Sequence, residues 1–81
     1  MIKFTLHEYL SLNEICKVVE RFYELYGLTD FIVDLSYDTR IKPSNIVKFK
    51  QIENLQEIKI EFVHEVCPSI AIMANKIISE V

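Results

Sequence analysis

The chain has 81 residues, of which 51% are hydrophobic and 26% are charged, and its formal net charge is −3. This length fits a single core, and the apolar content excludes a disordered chain. The longest uninterrupted apolar run covers residues 70–74, far below the roughly 18 residues that a membrane span requires. We therefore expect residues 1–81 to form one domain.

The first predicted element is a strand over residues 2–6, where apolar and polar side chains alternate. A helix is predicted over residues 12–26, because apolar positions recur there at helical spacing on one face. Ser11 and Glu14 form an S-x-x-E capping box at its start. Gly27, the single glycine of the chain, stands where the helix is expected to end.

The middle of the chain predicts two more strands separated by a turn. Residues 31–37 alternate and are rich in the residue types that strands favour, and turn-forming residues fill positions 38–45. Residues 46–52 also alternate. Apolar positions recur every three residues in this segment, but that spacing drifts by about 60° per step around a 3.6-residue turn, so we predict a strand.

A fourth strand is predicted over residues 57–62, and Pro68 suits the first turn of a second helix that runs almost to the C-terminus. The predicted order is β-α-β-β-β-α, a two-layer α+β sandwich in which two helices cover one face of a four-stranded mixed sheet. The first strand could lie beside the second or the fourth. The uncovered face is expected to carry polar residues, namely Lys3, Thr5, Asp34, Ser36, Lys48, Lys50, Glu57, Lys59 and Glu61.

Four basic residues and no acid occur between residues 39 and 52: Arg40, Lys42, Lys48 and Lys50. Clustered cations favour an anionic partner such as nucleic acid. The simpler interpretation is that Lys48 and Lys50 form cross-strand ion pairs with acids of the neighbouring strands, Asp34, Glu57 and Glu61. We favour ion pairing because the net charge is acidic, and keep nucleic-acid binding as the alternative.

His7, His64 and Cys67 are the weak candidates for a metal or thiol site. The two histidines would converge if the first strand paired with the fourth, and would lie at opposite edges if it paired with the second. Their spacing matches no metal-binding signature. We predict no metal and no cofactor, and keep a small metal or thiol site as a second alternative.

Two cysteines without a secretory signal or a dense cysteine framework predict reduced thiols and a cytoplasmic location. Frequent Ile, Lys, Glu and Asn with little glycine is typical of a bacterial or phage gene. With one glycine, the chain cannot form the glycine-rich phosphate loops of nucleotide-binding enzymes. We therefore predict that it is not an enzyme.

Both predicted helices carry apolar faces wider than one-sided burial requires. Val18 and Leu25 lie at the edge of the first apolar face, and Ile72 lies among polar residues of the second helix. These three would form a docking surface for a partner or a second copy, unless the helices pack on each other. The basic residues of segment 40–50 are the other predicted partner-binding residues. The predicted function is a small, non-catalytic interaction or regulatory protein that binds another protein.

Overall fold

The computed structural model describes residues 2–6, 11–37 and 41–80. In this part of the chain strands and helices alternate: β1 (Ile2–Thr5), α1 (Leu12–Tyr26), β2 (Asp30–Asp34), α2 (Pro43–Val47) continued by a 3₁₀ turn (Lys48–Gln51), β3 (Lys59–Val63) and α3 (Pro68–Ser79). The three strands form one sheet in the order β1-β2-β3, and both neighbouring pairs are parallel. Of the two strand orders that the sequence left open, the structure has the first strand beside the second and not beside the fourth.

Helix α1 begins and ends where the sequence predicts. The Ser11 hydroxyl accepts a hydrogen bond from the backbone N–H of Glu14 at 3.4 Å. Gly27 has φ of 65°, and its N–H donates to the carbonyl oxygen of Tyr23 at 2.9 Å. Because this left-handed conformation strains any residue with a Cβ, the glycine fixes the end of the helix.

The predicted four-stranded mixed sheet with two helices is wrong, because residues 46–52 are mainly helical. The buried side chains of this segment are Ile46, Phe49 and Ile52. Ile46 lies in the short α-helix and Phe49 in the 3₁₀ turn that continues it, and Ile52 follows directly. A three-residue spacing drifts along a long α-helix, but over a single turn that passes into 3₁₀ geometry, with 3.0 residues per turn, it keeps these side chains on one side. Pro43 starts the helical segment, since the N–H that proline lacks would have no partner in the first turn.

This helical connection changes the topology of the sheet. It carries the chain from the end of β2 back to the start of β3, so these strands run parallel instead of forming the predicted antiparallel meander. Helix α2 contacts both α1 and α3, so the helices form one layer, and α3 also packs on β3. No helix of the described residues is long and apolar enough to cross a bilayer.

The core lies between the helical layer and one face of the sheet. Phe31 and Phe62 are buried on neighbouring strands, as predicted. The ring of Phe49 is also buried, but it reaches the core from the 3₁₀ turn and meets Phe62 edge to face, with ring centroids 5.2 Å apart. The other buried apolar side chains are Leu6, Leu12, Ile15, Val19, Val33, Leu35, Ile46, Ile52, Ile58, Ile60 and Ala74.

The opposite face of the sheet is not covered by the helices. Strand alternation places on it the side chains of Lys3, Thr5, Asp30, Ile32, Asp34, Lys59, Glu61 and Val63, which we call the open face. The predicted members Lys48 and Lys50 lie instead in the 3₁₀ turn, and Glu57 and Ser36 lie in turns that flank strands. The polar character of this face therefore agrees with the prediction only for the residues that belong to strands.

Candidate functional site

The predicted basic site does not lie on a strand. Lys42 precedes α2, and Lys48 and Lys50 lie in the 3₁₀ turn, while Arg40 lies outside the described residues. The predicted cross-strand ion pairs of the lysines with Asp34, Glu57 and Glu61 are wrong for the same reason. The carboxylate of Asp34 instead lies 3.8 Å from the ammonium group of Lys3. Nucleic-acid binding by this segment stays a prediction.

His64 and Cys67 lie together between β3 and α3. The Nδ1 atom of His64 accepts a hydrogen bond from the backbone N–H of Cys67 at 2.8 Å, and the Cys67 thiol lies 3.4 Å from the Ser69 hydroxyl. His64 is only 3% exposed, and its Nε2 atom has no partner among the described residues. Because Nδ1 accepts this hydrogen bond, the proton of the neutral imidazole lies on Nε2, which can donate a hydrogen bond but has no lone pair for a metal.

The predicted convergence of His64 with His7 depends on strand order. β2 lies between β1 and β3, which separates the two outer strands by about 10 Å. His7 itself lies outside the described residues, which contain no cluster of three metal-ligating side chains. The structure therefore brings Cys67 to His64 but brings no third ligand to them within the described chain.

A polar network joins the carboxyl ends of β2 and β3. Asp34 accepts a hydrogen bond from the backbone N–H of Ser36 at 2.9 Å, and the Ser36 hydroxyl accepts one from the N–H of Glu65 at 3.1 Å. Hydrogen bonding from Ser36 and the nearby charge of Lys3 lower the pKa of Asp34. The sequence Asp-Leu-Ser is typical of a turn in which an aspartate side chain accepts from the backbone N–H two residues on, so this pattern could have predicted the contact.

The predicted apolar docking residues do not form one patch. Val18 is half-buried on α1, whereas Leu25 near the end of α1 and Ile72 on α3 are exposed, at 57% and 69%. Because α2 contacts both α1 and α3, it lies between the two exposed side chains in the helical layer. Apolar side chains that the prediction did not select are more informative, since they adjoin a free strand edge.

β1 is an edge strand whose outer row of backbone groups faces away from β2. The N–H of Leu6 donates to the carbonyl oxygen of Asp34 at 3.0 Å. Since backbone groups alternate in direction along a strand, Phe4 also bonds toward β2, while Lys3 and Thr5 point their N–H and C=O groups outward. Neither of these two residues finds a backbone partner on that side among the described residues.

The opposite edge of the sheet is closed at Phe62 by a side chain. Along β3 the outward backbone groups belong to Ile60 and Phe62. The N–H of Phe62 donates to Asn75 Oδ1 at 2.8 Å, and its carbonyl oxygen accepts from Asn75 Nδ2 at 2.9 Å. The carboxamide of α3 thus takes the place of a neighbouring strand, and Ile60 is only 9% exposed. The sequence pattern offered no signal for this contact.

Aromatic rings lead from the core to the surface beside β1. Phe31 stacks on Phe4 with centroids 6.0 Å apart, Phe4 on Phe22 at 6.1 Å, and Phe22 contacts Tyr26 at 6.0 Å. We call these four residues the aromatic row. Phe4 and Phe22 are half-buried, and Tyr26 is 68% exposed. The free edge of β1 is therefore flanked by apolar surface.

Comparison with known proteins adds no relative to this description, since no family model, curated protein or solved structure matches the chain.

Proposed function

We propose that this protein is a non-catalytic interaction protein that binds another polypeptide by adding an extended segment of it to the free edge of β1. The observation that carries the proposal is the difference between the two edges of the sheet. Asn75 satisfies the outward groups of Phe62 on β3, whereas Lys3 and Thr5 of β1 have no such partner among the described residues. Backbone groups in an open row pair readily with a strand from another chain.

The aromatic row supports the same site. A strand added beside β1 would place alternate side chains over the helical side of the sheet, next to Phe4 and Phe22. Tyr26 exposes a large ring at the surface end of this row. Aromatic side chains bury large apolar areas and are enriched at protein interfaces. The edge would give backbone hydrogen bonds, and the row would select apolar side chains.

The experiment uses a proline substitution that affects only the outer edge. Thr5→Pro removes an outward N–H and fills its place with a ring, while the hydrogen bonds from β1 to β2 remain. Thr5→Ala is the matched control, because it removes the side chain and keeps the N–H. Partners captured from the native host by the wild-type protein are identified, and their affinities for the three proteins are measured by calorimetry.

We expect Thr5→Pro to weaken partner binding by about tenfold or more, and Thr5→Ala to change it by less than about threefold. Hydrogen exchange of the Lys3 and Thr5 amides in the wild-type complex should also be slowed. Circular dichroism of each variant confirms that the fold is retained. Equal partner affinity for Thr5→Pro and wild type, or unchanged exchange at both amides, would contradict the proposal.

A further inference from the structure

Helix α1 has two flanks, and the described residues cover only one of them. On the covered flank, the Cys16 thiol donates to the carbonyl oxygen of Lys48 in the 3₁₀ turn at 3.7 Å. Tyr23, on the same flank, donates from its hydroxyl to the carboxylate of Glu57 in the turn before β3. This side of α1 is therefore occupied by the connection between β2 and β3.

Three apolar side chains lie on the other flank of α1. Val18, Phe22 and Leu25 follow one another at spacings of four and three residues, which places them in one row along the helix. Val18 and Phe22 are half-buried, and Leu25 is 57% exposed. We call these three residues the α1 flank. The charged residues of the helix lie outside it: Glu14 and Arg21 border it on the solvent side, and Lys17, Glu20 and Glu24 lie further round the helix.

The α1 flank lies on the same side of the molecule as the free edge of β1. The Phe22 ring stacks on Phe4 of β1, with centroids 6.1 Å apart, and Phe4 in turn stacks on Phe31 of β2. The flank is therefore placed above the edge strand. It forms one continuous surface with the outward backbone groups of Lys3 and Thr5. An extended peptide would cover the edge, but it has no second layer that could cover the helix.

A second copy of the chain is complementary to both parts of this surface. In an antiparallel pair, residues opposite each other exchange both N–H···O bonds, so two identical rows of outward groups can satisfy one another. A parallel pair cannot do this, as β2 and β3 show: the Val63 carbonyl oxygen accepts from β2, whereas that of Asp34 opposite it accepts from β1. The pairing is therefore antiparallel, about a two-fold axis perpendicular to the sheet, which keeps the helices of both copies on the same face.

The outward groups of β1 select one register. With Phe4 opposite Phe4 of the second copy, Lys3 lies opposite Thr5 on both sides of the axis, and the outward groups of both residues are paired. The register centred on Lys3 would set two lysines opposite each other, and the register centred on Thr5 would leave Lys3 without a partner among the described residues. In the selected register the two Lys3 side chains lie diagonally across the pair, each 3.8 Å from Asp34 of its own copy.

We infer that the polypeptide bound at the β1 edge is a second copy of this chain, so that two sheets join into one and the α1 flanks of both copies pack against each other. Helices side by side on one face of a sheet lie about 8–10 Å apart, close enough for Leu25 and Val18 to bury one another across the axis. The two Phe4 rings meet on the same face and join the aromatic rows. The homodimer rests on the proposed function, since it uses the same edge and names its occupant.

Sedimentation equilibrium of the purified protein from about 10 µM to about 1 mM tests the homodimer. A strand of four residues and one helix flank give an interface below the standard size, so the dimer should be weak. We expect the average mass to rise from 9.6 kDa toward twice that value as concentration increases. Thr5→Pro should weaken the dimer by about tenfold or more, because an outward N–H is lost in both copies, and Thr5→Ala should change it by less than about threefold.

Leu25→Glu tests the contact between the helices without touching the sheet. It places a carboxylate in the α1 flank of both copies and should also weaken the dimer by about tenfold or more. Ile72→Glu is the matched control, because Ile72 is 69% exposed on α3 and α2 lies between α3 and α1. Both side chains are exposed, so both variants should fold, as circular dichroism would show, whether or not Thr5→Pro does.

A mass of 9.6 kDa for the wild type at every concentration would overturn the homodimer. A dimer that Leu25→Glu leaves unchanged, or that Ile72→Glu weakens as much, would overturn it as well. In each case the proposed function is decided separately, by whether Thr5→Pro lowers the affinity of proteins captured from the native host.

Discussion

Replacing Asn75 with alanine should open the outer edge of β3 and destabilise the fold. The Asn75 side chain makes two hydrogen bonds to Phe62, of 2.8 and 2.9 Å. A hydrogen bond of this kind contributes about 1 kcal/mol net, so losing both should lower the free energy of unfolding by about 2 kcal/mol. A chain of 81 residues has a total stability of only about 4–12 kcal/mol, so the effect is large.

Urea denaturation followed by circular dichroism measures this change. With a slope near 1 kcal/mol per molar urea, the midpoint of unfolding should fall by about 2 M. Asn13→Ala makes the same chemical change on the exposed side of α1 and should alter stability by less than about 0.5 kcal/mol.

Hydrogen exchange separates the two bonds that Asn75 makes. In Asn75→Ala the Phe62 amide should exchange faster, whereas Asn75→Asp keeps the acceptor for that amide and loses the donor to the Phe62 carbonyl. The Phe62 amide should therefore stay protected in Asn75→Asp. An unchanged urea midpoint together with full protection of Phe62 in Asn75→Ala would show that the carboxamide does not close this edge.

Three further predictions follow from local contacts. Because the pKa of Asp34 is lowered in the folded state, its contribution to stability is complete above the unfolded pKa of about 4 and is lost as pH falls through the folded pKa. In Asp34→Asn the melting temperature should therefore fall less steeply with decreasing pH than in the wild type, and an equally steep fall would contradict this. Burial, and secondarily Glu20, raise the pKa of Cys16, so iodoacetamide should modify Cys16 more slowly in the folded protein than in urea, as mass spectrometry would show. Gly27→Ala meets no neighbouring atom within 4 Å but must keep a positive φ, so urea denaturation should show a loss of about 1–2 kcal/mol, and no loss would argue against the left-handed cap.

The parts of the fold that the sequence predicted correctly depend on local patterns. Helix α1 has an apolar face, a capping serine and a terminal glycine, and all three signals agree. Strand β3 alternates buried and exposed side chains, and α3 begins at Pro68 as expected. Each of these signals lies within a few residues of the element it defines, so no knowledge of tertiary contacts was needed.

The parts that sequence reasoning missed depend on distant contacts or on uncommon helix geometry. The three-residue spacing of Ile46, Phe49 and Ile52 does not fit a long α-helix, but it fits a short helical turn that passes into 3₁₀ geometry, and only packing against the core decides between that turn and a strand. Nothing local indicates that Asn75 will meet Phe62, because the contact depends on how α3 packs on β3. The sequence could not predict that β1 would have a free edge either, since this depends on strand order.

The wrong prediction of a strand at residues 46–52 also affected how the polar face of the sheet is interpreted. In an antiparallel sheet, Lys3 and Glu61 would be ordinary residues of a solvated surface, and no partner would be needed to explain them. With a helical crossover in place, the same two residues lie at opposite ends of one row on a parallel sheet, and the helices of the described residues cover only its other face, whereas all-parallel sheets almost always have both faces covered.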